Sequence, residues 1–196
     1  MPVSLSDFRQ LRDPILQEIE SSQSAPSKDC PLSSDAIWAV SSWSMVEQAM
    51  LELFVFLLRG NRHRVAASFK AVNCFRTKCN MIAAAAKNGL FETRFTTLEK
   101  LLSVTLKAKR RRDRLEAWAW GYSDTFPNAL LLIKPSDDSS AAHSSGDILV
   151  YQGHELKNMV CEHSRIARCL DLYRKLTVVE GDPVEASERL MEWLEI

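Results

Sequence analysis

The chain has 196 residues, 25 of them Lys or Arg and 25 Asp or Glu, so its formal net charge is zero. That length supports one domain with small appendages and a core that needs no covalent staple. The even balance excludes a global basic field, so any nucleic-acid contact has to come from a local patch.

In chain order, Ser4 to Ser21 carries Leu5, Phe8, Leu11, Ile15, Leu16 and Ile19 at helical spacing, with Pro14 inside it. The Ser/Pro-rich "SSQSAPSKDCPLSS" then reads as a linker. A long core helix is expected over "SSDAIWAVSSWSMVEQAMLELFVFLLRGN", with Trp38 and Trp43 in the core and Gly60-Asn61 closing it. Glu47 or Glu52 on that helix must find solvent or a partner. An Ala-rich helix follows from Arg64 to Asn88, its small residues admitting a close neighbour, with Asn88-Gly89 as the stop. A third long helix runs from about Glu92 to Trp120 and ends at Gly121.

After Gly121 the period changes. "NALLLIKP" and "GDILVYQG" are short, apolar and bounded by turn residues, which predicts two strands. They form a β-hairpin insertion over residues 127–152, with the polar "SDDSSAAHSSG" between them. Helical spacing returns over "HELKNMVCEHSRIARCLDLYRKLT", and a short helix from Pro183 to Leu194 follows. The fold class expected is all-α: an antiparallel bundle of four long helices with short terminal helices and a small β-hairpin insertion, as a single domain over 1–196 with residues 1–32 as N-terminal helix and linker.

No cofactor and no metal site is expected. Cysteines 30, 74, 79, 161 and 169 include no CxxC pair, and Cys161 with His163 matches no zinc spacing. No run is apolar enough to span a bilayer, and the start carries charges where a signal's apolar region would stand. The expectation is a cytoplasmic protein without membrane contact.

The chemistry-bearing feature is the run from Lys107 to Arg114, six basic residues in eight, followed by Trp118 and Trp120. A helix C-terminus favours one or two cations, by ~0.3–1 kcal/mol each. Six repel one another, so the crowding requires a further cause beyond a solvated face. Guanidinium groups match phosphate oxygens, which makes Lys109, Arg110, Arg111 and Arg114 candidates for phosphate or RNA binding. Successive residues step about 100°, so the run presents at least two surfaces.

The order of a Trp/Glu helix ("SSWSMVEQAMLEL"), an Ala-rich helix and "RDRLEAWAWG" resembles the HEPN superfamily of small helical proteins, many of them metal-independent endoribonucleases. The family signature is an arginine, commonly followed by a polar residue, with four to six residues between that arginine and a histidine. The resemblance places the arginine at Arg112, its polar follower at Asp113 and the histidine position at Ala117, with Trp118, Trp120 and Gly121 as the flank. No histidine stands five to seven positions after any arginine in the chain. Two explanations compete: a member that has lost catalysis, or a chain whose histidine was changed to alanine. The resemblance implies a toxin or defence endoribonuclease with a disabled site, a homodimer with facing signature helices, RNA as substrate and a cognate antitoxin as partner. In it Arg112 would contact phosphate, Asp113 would orient a catalytic group or hold Arg112, and position 117 would carry acid–base work. The alternative reading is a non-catalytic helical module that binds RNA, a nucleotide or a protein.

Overall fold

The computed structural model describes residues 2–8, 14–16, 32–87, 92–135 and 147–177. It is mainly helical but not purely so, because a four-stranded antiparallel sheet is built into it. The described elements are β1 (Val3–Ser4), α1 (Ser33–Ser41), α2 (Trp43–Leu58), α3 (Arg62–Ala71), α4 (Phe75–Lys87), α5 (Glu92–Ala117), β2 (Ala119–Gly121), β3 (Ala129–Ile133), β4 (Ile148–Gln152) and α6 (Gly153–Leu176). By contacts the chain divides into two compact units, Met1–Ser41 with Arg111–Val160 and Ser42–Arg110 with Cys161–Ile196.

Two of the four long helices expected from sequence are each broken in two. The first breaks at Ser41-Ser42. Ser41 Oγ donates back to the carbonyls of Ile37 and Trp38, 2.8 and 3.2 Å away, and Ser42 Oγ is bonded to a histidine instead of capping α2. Serine hydroxyls compete with the helical ladder in this way. The second breaks at Val72, whose backbone is extended, before Asn73 and Cys74. A β-branched residue followed by asparagine is a poor helix interior. Glycine does not close α2 either: Arg59 takes the left-handed position at φ 48°, and Asn61 Oδ1 caps α3 by accepting from the His63 and Arg64 amides.

The sheet has the order β1-β4-β3-β2. β3 and β4, the two strands expected from sequence, pair antiparallel with Leu130 opposite Tyr151 and Leu132 opposite Leu149. They are not an isolated hairpin. β2 adds to one edge, with Trp120 opposite Leu132, and β1 to the other, with Val3 opposite Val150. Two corrections follow. The segment expected to open a helix at Ser4 instead gives a strand and a 3₁₀ turn over Leu5–Asp7, with Pro14–Leu16 helical. The third long helix stops at Ala117, and Trp120 lies in a strand. Gly121 suits β2 because a Cβ there would stand 3.1 Å from Ile133 Cδ1.

The central strands β3 and β4 are largely apolar because both faces are covered. Leu130, Leu132 and Tyr151 pack with Leu115, Leu156 and Met159 on one face. Leu131, Ile148 and Val150 pack with Leu5 and Ile15 on the other, so the amino-terminal segment docks on its own chain's sheet. In the second unit α2 packs on α3 and α4, and Trp43, Leu53, Ile82, Leu101 and Ile166 belong to one core. Glu47 is exposed, and Glu52 pairs with Arg62, whose guanidinium holds its carboxyl below the usual range. Trp38, expected in the core, is 64% exposed. The expected linker between Ser21 and Pro31, Cys30, the Asn88-Gly89 stop, the 136–146 stretch and the Pro183–Leu194 helix lie outside the described residues.

Candidate functional site

The end of α5 is fixed by its neighbours. Leu115 is fully buried beneath the sheet. Trp120, on the adjacent strand, donates its indole N–H to the Leu115 carbonyl at 2.7 Å, which satisfies one of the acceptors a helix end leaves open. Trp118 and Trp120 both pack against the same apolar cluster. The helical geometry expected for the pair would have set them apart. In an extended stretch, residues two apart share a face.

At about 100° per residue, Leu115 points between Arg111 and Arg112, about 40° from one and about 60° from the other. Anchoring Leu115 therefore draws both arginines toward the protein and leaves Arg114 outward. Arg111 and Arg112 are half-buried, and Arg114 is exposed. The run does split into two surfaces.

On one surface, Arg112 has a side chain only 16% exposed. Its Nη2 donates to Glu116 Oε1 at 2.9 Å, its Nη1 also pairs with Glu116, and the same nitrogen reaches Asp113 Oδ1 at 3.3 Å. Its Nε is buried and has no hydrogen-bond partner among the described residues. Ala117 ends the helix and is exposed. Five residues turn a helix so that Arg112 and Ala117 point about 140° apart. A single helix therefore cannot close both positions on one phosphate.

Glu116 is a clamp on Arg112 that costs little to remove. An i,i+4 pair of this kind is worth ~0.3–0.5 kcal/mol. Glu116→Gln is expected to leave the denaturation midpoint nearly unchanged and to tighten binding of single-stranded RNA, read by fluorescence anisotropy. Unchanged or weaker binding would show that the pair does not compete with phosphate.

The apolar cluster around Leu115 also holds a residue that sequence reasoning passed over. Tyr151 on β4 is 1% exposed, and its hydroxyl has no hydrogen-bond partner among the described residues. Burial pushes its pKa up, with Glu155 adding to the rise, while the charges of Arg114 and Arg111 pull it down. Glu155 Oε2 also accepts the Gln152 amide at 3.0 Å. The only signal in the sequence was a tyrosine at the end of an apolar strand, which reads as core. A pocket of about 250 Å³ lined by Val3, Phe8, Val150, Gln152, His154 and Glu155 opens elsewhere. Val150 and Gln152 alternate with Tyr151 and point to the opposite face.

Lys109 and Arg110 belong to the second unit. Arg110 is exposed. The Lys109 ammonium stands 5.9 Å from the ring centroids of both Trp43 and Phe75, a cation–π arrangement that ties it to aromatic packing. In the same unit the buried His163 Nδ1 lies 2.7 Å from Ser42 Oγ, with Trp43 edge-on at 5.0 Å. This Ser–His pair is enclosed in the core and is a structural hydrogen bond. Cys161, two residues away, is exposed, so the two side chains considered for metal point apart. Among the described residues no three His, Cys, Asp or Glu side chains gather to hold a metal ion. No helix among them is long and apolar enough to cross a membrane.

Comparison with family models, curated proteins and solved structures finds no match. The functional reading therefore rests on the residues themselves.

Proposed function

We propose that the protein binds RNA through the arginine-bearing end of α5, as a HEPN-type metal-independent endoribonuclease of toxin or defence type whose acid–base position holds Ala117. The observation that carries the reading is Arg112: an arginine largely buried, with an unpartnered Nε, beside an exposed helix end. A guanidinium with a donor to spare in a partly desolvated place is suited to a phosphodiester. RNA is cleaved without metal when its own 2′-hydroxyl attacks the adjacent phosphate. Arginine stabilises the charge that builds on the phosphorane, and an imidazole moves the protons. The angle between positions 112 and 117 adds a requirement. Each composite centre takes its arginine from one copy and its acid–base group from the other, in a homodimer of antiparallel helical bundles. A cytoplasmic setting and a neutralising antitoxin partner go with this reading. The test is Ala117→His assayed on RNA in a metal chelator, with cleavage expected and intact RNA counting against the nuclease.

A second reading, a non-catalytic RNA-binding module, is favoured by the Arg112–Glu116–Asp113 pairing, which already neutralises the signature arginine. It keeps binding and predicts no cleavage after Ala117→His.

A further inference from the structure

We propose that the cleft where β4 runs into α6 is a base pocket that receives an unpaired guanine, stacked on Phe8 and held by the Glu155 carboxylate. This deepens the RNA reading, on which the biological source of the base rests. Arg112 takes the backbone, and the cleft reads a base.

The cleft is a cavity of about 250 Å³ within the first unit, with the exposed Val3 and His154 on its wall. Pockets for drug-sized molecules run ~300–1,000 Å³, so this one has room for a flat ring system and not for a whole nucleotide. Its floor is apolar. Val3 and Val150 stand opposite each other in the sheet and face the same side, with Phe8 beside them. Phe8 is half-buried, and Phe126 packs on it with ring centroids 5.5 Å apart, which holds the ring in place. An unpaired base stacks on an aromatic face of this kind. The polar wall is built by the start of α6. Glu155 Oε2 accepts the Gln152 amide at 3.0 Å, the backbone half of a capping box, which fixes the carboxylate in the first turn. A carboxylate has room for about four hydrogen bonds, so it can keep this one and still receive a base. Guanine alone among the RNA bases sets two N–H donors side by side on its Watson–Crick edge, matching the two oxygens of a carboxylate. Beside them lies its carbonyl acceptor, for which Gln152 and His154 supply donors. Adenine and cytosine bring an unprotonated ring nitrogen to that edge and uracil brings carbonyls, which meet the carboxylate lone pair to lone pair. The negative charge of Glu155 also repels phosphate, so the base enters and the backbone stays outside.

The test titrates the full chain with guanosine, inosine, adenosine, cytidine and uridine, which carry no phosphate, and follows binding by nuclear magnetic resonance. Guanosine is expected to bind best. Inosine lacks the 2-amino group and should bind about tenfold more weakly, the worth of a hydrogen bond to a charged group. Glu155→Gln keeps an oxygen for the Gln152 amide, so the helix start survives, yet it puts a donor where the second acceptor stood. Guanosine should then bind about tenfold more weakly and lose its lead over adenosine. Phe8→Leu keeps the floor apolar and should weaken every nucleoside about tenfold by removing the stacking face. A parent that binds no guanosine or binds all five alike overturns the pocket, as does a guanosine preference that persists in Glu155→Gln. If either variant melts well below the parent, the parent's preference for guanosine over inosine decides alone. RNA separates the two proposals. A protein that prefers guanosine through Glu155 but binds neither an oligoadenylate with one central guanine nor a plain oligoadenylate keeps the pocket and loses the RNA reading. One that binds both oligomers equally through Arg112, with no binding of guanosine, does the reverse.

Discussion

Ala117→His is expected to switch on metal-independent RNA cleavage, raising the rate ~10²–10⁴-fold over the chain with alanine, the usual worth of a positioned proton-transfer group. The position is open to solvent among the described residues. Ala117 is the exposed last residue of α5, so an imidazole there displaces no core atom, and stability should change within about 0.5 kcal/mol. Rate against pH should show an inflection near the ordinary imidazole value of about 6.5, absent from the parent. The decisive form of the experiment is a mixture. If Arg112 and the new imidazole act across a dimer, a chain carrying both Ala117→His and Arg112→Ala has no complete centre in its own homodimer. Mixed with the unsubstituted chain, it gains one from each partner, the arginine from one and the imidazole from the other. Activity restored only on mixing supports the composite centre. Ala117→His protein that is folded and binds RNA, yet leaves it intact alone and in mixtures, removes the nuclease and leaves the binding module.

What the sequence made legible was set by period and by punctuation. The strands at Ala129–Ile133 and Ile148–Gln152 stood out because they are short and apolar throughout, and that pattern reflects burial on both faces. The edge strands did not stand out. Val3–Ser4 and Ala119–Gly121 have two and three residues, too few to show alternation, and only pairing to a central strand makes them extended. The helix breaks were hidden for a related reason. Apolar spacing continues across Ser42 and Val72, and the serine bonds that interrupt the ladder are tertiary or local choices no periodicity reveals. At the site, the two-surface character of the arginine run followed from 100° geometry alone. Which arginines turn inward depended on Leu115, whose apolar cluster includes Tyr151 from a strand some 36 residues farther on. A contact between residues so far apart in the chain leaves no mark in local sequence.

Trp43→Ala is expected to cost ~3–5 kcal/mol, the range for emptying a buried large aromatic, read as a lower urea midpoint at unchanged slope. Trp43 is 2% exposed and meets Phe75 and His163 edge-on at 5.5 and 5.0 Å, so its removal opens a cavity bounded by two rings that cannot both collapse into it. It also deprives the Lys109 ammonium of one of its two aromatic faces. The indole N–H is buried without a hydrogen-bond partner among the described residues, so Trp43→Phe should recover much of the loss: it restores a ring and deletes an unsatisfied donor. Trp38 supplies the internal control. The same apolar pattern pointed to both tryptophans, but Trp38 is 64% exposed, and Trp38→Ala should stay within about 0.5 kcal/mol of the parent. A large loss at both positions would mean that Trp38 is covered in solution. A small loss at Trp43 would mean that the second unit does not close around it, and the placement of Lys109 on its ring would fall with it.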